Sequence, residues 1–165
     1  MNFDAVFDRV YPQLFRYLHR LTGSPDAAAD VAQESFVRLL SRPMPEDEAR
    51  RWLFTVAINL VRDGARTART RERLLSAEPV GARAWAQPDE LVERAERIDS
   101  VRAALEQIPE RDRMILLMRE EGFRYEEIAR AVGVAPGSVG TLLARATRRF
   151  VQVYSGEKTG DESSD

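Results

Sequence analysis

The sequence predicts an all-α fold: two small helical bundles joined by a linker, the second bundle containing a helix-turn-helix. Apolar residues recur at helical spacing through most of the chain, and no stretch alternates as a half-buried strand does. Proline and glycine fall between the periodic segments, where helices start and stop. One stretch, Leu74 to Pro88, has no period and holds Pro79, Gly81 and Pro88, which is the composition of a connector.

The first helix shows Phe7, Val10, Leu14, Leu18 and Leu21 on one face. Pro12 interrupts that pattern, so a kink or boundary is expected near Tyr11. His19 is expected on the partly wet side, with no function. Thr22-Gly23 ends this helix. Ser24-Pro25-Asp26 opens the next as an N-cap, a proline at the first helical position and an acid in the first turn. The second helix runs to about Leu40, with Ala28, Val31, Ala32, Phe36, Leu39 and Leu40 toward a core. Asp30, Gln33, Glu34 and Arg38 fall on other faces, and by themselves read as a solvated surface.

Arg42-Pro43-Met44-Pro45 breaks the pattern, and Glu46, Asp47 and Glu48 suit the positive end of a third helix. Ala49, Trp52, Leu53, Val56, Ala57, Leu60 and Val61 form the cleanest apolar stripe in the chain. Trp52 and Phe54 could stack on DNA bases, but a Trp at helical spacing is more often core. Beyond Asn59 the helix turns basic, with Arg62, Arg66, Arg69, Arg71 and Arg73 against Asp63 and Glu72. Such an end can bind phosphate or simply be solvated.

Leu75, Val80 and Trp85 are apolar within the connector and could dock on a partner or on either domain. Asp89 can cap a fourth helix marked by Leu91, Ala95, Ile98, Arg102, Leu105 and Ile108. Pro109-Glu110 opens a fifth, which buries Met114, Leu117 and Met118 and closes near Gly122. Tyr125 to Val132 is a short amphipathic helix and Gly133 a turn. Pro136 starts a second helix that turns Val139, Leu142, Leu143 and Ala146 inward and Thr141, Arg145, Arg148 and Arg149 outward. A cationic second helix after a glycine turn suits a DNA major groove, although helical hairpins also occur as plain packing. The acidic stretch from Ser155 to Asp165 reads as a disordered tail.

Composition narrows the function. With no cysteine among 165 residues, disulfides and thiolate metal sites are excluded. A single histidine, His19, leaves little for a zinc set or an imidazole catalyst. Gly133, Gly137 and Gly140 follow no strand and lack the Lys-Ser/Thr of a phosphate loop. Glu120, Glu121, Glu126 and Glu127 flank a helix break and read as solvated. No catalytic residue, metal or cofactor is therefore expected. No apolar run is long enough for a membrane span, and the N-terminus lacks the order of a secretion signal, so a cytoplasmic protein is expected. The net charge of −2 does not argue for nucleic acid. All the basic residues except Lys158 are arginine, which grips phosphate or guanine in bidentate fashion, but a GC-rich genome would give the same bias.

Three segments taken together resemble one family. Asp30-Val31-Ala32-Gln33-Glu34-Ser35-Phe36-Val37-Arg38-Leu39 resembles region 2.2 of the bacterial extracytoplasmic-function (ECF) sigma factors. Trp52-Leu53-Phe54-Thr55-Val56-Ala57-Ile58-Asn59-Leu60, then Asp63 and arginines, is similar to their regions 2.3 and 2.4. Ile108-Pro109-Glu110-Arg111-Asp112-Arg113, followed by Glu121 to Ala129, is similar to region 4. The resemblance covers roughly residues 3–72 and 90–152, in the family's order.

The resemblance implies a non-enzymatic sigma subunit that joins core RNA polymerase and directs promoter recognition, melting and initiation. It implies a region 2 domain over 1–73, a linker over 74–88, a region 4 domain over 89–154 and the tail over 155–165. Asp30, Gln33, Glu34 and Arg38 would contact the clamp of the largest polymerase subunit, and region 4 its flap. Asn59 would help bind a base flipped out of the minus-ten element, with Arg62, Arg66 and Arg69 on backbone phosphates. Ser138, Thr141 and Arg145, with Arg148 and Arg149, would serve the minus-thirty-five element. The free protein would be a monomer, held by an anti-sigma factor across both domains.

Three departures from the family pattern stand out. Gly140 and Leu142 replace two usual cations of the recognition helix, which predicts weaker upstream binding and a flatter salt dependence. The loop Pro43-Met44-Pro45-Glu46-Asp47 lacks the usual aromatic and glycine. Gly64 stands where a bulky residue is usual. Two other readings fit parts of the chain: a stand-alone helix-turn-helix repressor, and a degenerate sigma paralogue acting only through protein contacts.

Overall fold

The computed structural model describes residues 1–72 and 89–162, with side chains for residues 1–64 and 90–156. Among these residues every regular element is helical. The connector over 74–88, with Leu75, Val80 and Trp85, lies outside the described residues.

The first bundle is α1 (Phe3–Thr22), α2 (Pro25–Leu40) and α3 (Glu46–Glu72). Asn2 caps α1 by accepting the Ala5 N–H at 3.2 Å, and Ser24 caps α2 by accepting that of Ala27 at 3.2 Å. Of the kink or boundary expected near Tyr11, the boundary is absent, since α1 runs through Pro12. Pro12 and Asp8 are both exposed, so the carbonyl that loses its donor faces water.

The second bundle is α4 (Asp89–Gln107), α5 (Glu110–Glu120), α6 (Tyr125–Val132), a 3-10 turn at Pro136–Ser138 and α7 (Val139–Glu162). Gly122 at φ 86° and Gly133 at φ 74° make the turns on either side of α6 in the left-handed region, where a Cβ would be strained. The backbone of α7 continues through Ser155–Glu162, into the stretch expected to be a tail. No proline interrupts it there, and extending a helix costs less than starting one.

Several expected core positions are not core. Leu40 is 62 % exposed and Phe7 sits at the surface edge of an aromatic cluster with Phe3, Tyr11 and Phe36. Leu91, Ala95 and Ile98 of α4 are exposed, and only its C-terminal end, at Ala104 and Leu105, is buried. Arg94, Arg97 and Ile98 of α4 line an open groove.

Conversely, Phe54 and Ile58 are fully buried although they lie beside the main stripe of α3. The reason is that the two bundles pack face to face. Helix α1 lies on α5 and α3 on α6, so one buried cluster runs through both halves. Phe54 sits between Tyr17 of α1, at 5.1 Å between ring centroids, and Phe123 of the second bundle, at 4.7 Å. Burying a ring of this size is worth about 1.5–3 kcal/mol, so the seam is a substantial part of the fold.

Candidate promoter and polymerase surfaces

The outer face of α2 is open. Asp30, Gln33, Glu34 and Arg38 are all exposed, and Arg38 Nε donates to Glu34 Oε1 at 2.9 Å, one turn away. Val37, 57 % exposed, lies among them with Leu40. Exposed aliphatics inside a charged rim are what a protein partner would cover.

On α3, Trp52, Thr55 and Asn59 follow at helical spacing along one side. Asn59 is exposed. Trp52 is half-buried, with the Arg42 guanidinium 5.8 Å from its ring centre. It packs on the core with one side and faces a groove with the other. That groove, about 540 Å³, is lined by Arg42, Pro43, Met44, Pro45, Trp52 and Thr55, among others. Its far wall includes Arg130, from α6 of the other bundle. Arg62 is half-buried and its Nη2 donates to the Val132 carbonyl at 3.0 Å. Arg66 and Arg69 lie on the α3 backbone, with their side chains outside the described residues.

In the helix-turn-helix, the Glu127 carboxylate accepts the Arg124 N–H at 2.8 Å and so closes the first turn of α6. Ser138, Thr141, Arg145 and Arg148 are exposed along the start of α7. Arg149 is engaged: it donates to Asp112 at 2.6 Å, and that carboxylate is 5 % exposed. Its first duty is to hold α7 to α5. Leu142 is half-buried against the core, so the lost cation there has become a packing residue. A Cβ on Gly140 would meet the Tyr125 ring at 3.6 Å, an ordinary contact, so no steric demand requires glycine there.

Family models match two segments: Sigma-70 region 2 over residues 6–71 and Sigma-70, region 4 over residues 98–150. The chain is 33 % identical over 148 residues to the ECF RNA polymerase sigma factor SigL of Mycobacterium tuberculosis, covering 87 % of this chain and 84 % of the relative. This chain belongs to the ECF sigma factors. It is also 27 % identical over 153 residues to RNA polymerase sigma factor YlaC of Bacillus subtilis, covering 88 % of this sigma factor and 87 % of that one. Its fold matches that of the sigma factor RpoE from Bartonella quintana, solved in complex with the anti-sigma factor NepR, with a TM-score of 0.67, 20 % identity and coverage of 93 % and 97 %.

The residues that join the halves of this sigma factor are not visible in the motifs. Arg50 is half-buried: Nε donates to Gln13 Oε1 at 2.9 Å, Nη2 to the Glu121 carbonyl at 2.8 Å. Its guanidinium lies 4.1 Å from the Phe123 ring centre and 5.3 Å from that of Phe54. Burial pushes Arg50 below its ordinary pKa, while the Glu121 and Glu127 carboxylates pull the other way. Arg16 grips Glu121 with two bonds, 3.1 and 2.8 Å, and that hydrogen-bonded carboxylate raises the arginine. In the sequence, Arg50 is one more charge in an acidic-to-basic helix start, and nothing local marks it.

Among the described residues no group of His, Cys, Asp and Glu could hold a metal ion, and no helix is long and apolar enough to cross a membrane.

Proposed function

We propose that this sigma factor divides its work as its two bundles suggest. Residues 1–73 take core polymerase and the minus-ten element, and residues 89–154 take the minus-thirty-five element, with 74–88 as the linker. The outer face of α2, with Asp30, Gln33, Glu34 and Arg38 around Val37, docks on the polymerase clamp. Asn59 accepts an extruded base beside the Trp52 groove, and Arg62, Arg66 and Arg69 hold the strand. Ser138, Thr141 and Arg145 enter the upstream major groove, with Arg148 on phosphate and Arg149 contributing charge while bound to Asp112.

The observation that carries this reading is Asn59. A short amide on the same side of α3 as Trp52 and Thr55, left in solvent and not buried with its helix neighbours, supports hydrogen bonding to a base edge. A groove of about 790 Å³ between α4, α5 and α7 adds support for a second polymerase contact. Its floor is Ile98, Val101, Leu105, Leu116 and Phe150, and arginines line its rim, which suits an apolar helix with acidic flanks such as a flap element or an antagonist.

The test is run-off transcription from a genomic library with core polymerase. Defined start sites should appear with this protein and not with core alone. Gel filtration should show a monomer that co-elutes with core once the two are mixed.

A further inference from the structure

Glu48, Trp52, Thr55 and Asn59 share one side of α3, each a single turn from the next. Glu48, Trp52 and Thr55 line the same groove, which Pro43, Met44 and Pro45 help to wall. An indole face is a stacking platform that any base can use, so the ring by itself selects none. Selection falls to the hydrogen-bonding groups beside it.

On either side of Trp52 those groups are acceptors. Thr55 Oγ1 donates its one hydrogen to the Arg51 carbonyl at 3.0 Å, which leaves only lone pairs for a ligand. The ionised Glu48 carboxylate accepts and never donates, and among the described residues its side chain has no hydrogen-bond or ion-pair partner. The start of α3 does not depend on this one charge. Glu46 and Asp47 supply the same sign in the first turn, and Glu46 also accepts the Asn2 N–H at 3.1 Å. Glu48 repels phosphate, whereas Arg42 and Arg51 on the same groove suit it. Arg42 lies 5.8 Å from the Trp52 ring centre at an exposed site, a contact weak enough to yield the ring to a base. What Glu48 can attract in DNA is a hydrogen-bond donor on a base edge.

We infer that the base extruded beside Asn59 lies on Trp52 and is chosen for an exocyclic amino group, which Glu48 and Thr55 accept. Cytosine, adenine and guanine carry such a group and thymine does not. The inference rests on the sigma reading and on Asn59 as the place where a base leaves the stack. Glu48 is then the specificity-determining residue of this groove, and it selects against thymine by leaving its carbonyls without a donor.

The test selects oligonucleotides on the complex of core polymerase with the full chain. The probe is a duplex that opens into a single-stranded minus-ten segment, randomised throughout that segment. The recovered set should hold one position at which thymine is disfavoured roughly tenfold, the discrimination expected of one good pair. There, uracil in place of cytosine, or hypoxanthine in place of either purine, removes the amino group and should cost about the same factor. Glu48→Gln brings amide hydrogens along with its oxygen, and should raise thymine to near parity at that position and at no other. Thr55→Val should reduce the discrimination in part. Asp47→Asn removes the neighbouring charge, which lies outside the groove, and should leave the discrimination in place. All three variants should still co-elute with core. A motif with no thymine-rejecting position overturns the inference and leaves the sigma reading standing, as does a rejection that Glu48→Gln leaves unchanged. If the complex enriches no sequence beyond those that core alone retains, the sigma reading falls and the inference falls with it.

Discussion

The Tyr17 hydroxyl donates to the Met114 carbonyl at 3.1 Å, inside the fold and across the seam between the two bundles. Tyr17 is fully buried, and burial pushes its phenol far above the ordinary value, so it remains a donor. Tyr17→Phe keeps the ring against Phe54 and removes only this bond. The expected loss is about 1 kcal/mol of unfolding free energy, read by urea titration.

Phe54 and Trp52 are two residues apart on α3 and should respond differently. Phe54 is sealed between Tyr17 and Phe123, so Phe54→Ala should cost about 3–5 kcal/mol and loosen both bundles. Trp52 is half-buried beside the groove, so Trp52→Ala should cost clearly less. Thermal melts of the two variants give the comparison.

Asn59→Ala should separate stability from function. The residue is exposed, so unfolding should move by less than about 0.5 kcal/mol. Run-off transcription should be lost while co-elution with core persists. A variant that transcribes normally would remove Asn59 from base recognition.

Gly140 lies in the first turn of α7 without a positive φ and without a steric reason to be glycine. Gly140→Ala should stabilise by up to about 1 kcal/mol, raising the melting temperature. Gly140→Arg should restore a cation to the recognition helix and steepen the salt dependence of upstream DNA binding, measured by anisotropy across a salt series.

His19 reports on the packing of the two bundles. Its pKa is lowered from 6.5, first by burial and then by the Arg102 charge from the other bundle. Its contribution to stability is therefore present above pH 6.5 and lost as pH falls through the lowered folded value. Being the only histidine, it gives a single resolved proton titration. The midpoint should lie below 6.5, rise in part in Arg102→Ala, and rise further in Arg50→Ala if the halves separate.

Most helices and their starts were legible in the sequence because they are set by neighbours, whereas the passage of α1 through Pro12 and the length of α7 were not. Ser24-Pro25 capping, the turn at Gly133 and the stripe through Leu53 and Ala57 depend on residues within a turn or two. The exposed faces of α2 and α7 were legible for the same reason. What tertiary structure alone decided is where the faces meet. Phe54 and Ile58 lie off the stripe of their own helix and are buried by a partner more than fifty residues away. Arg50, Arg62 and Arg149 look alike as charges, yet one is clasped between rings, one holds a helix-end carbonyl and one is bound to a near-buried aspartate. Periodicity fixes which side of a helix is apolar, but long-range packing chooses its partner and so which arginines stay in solvent.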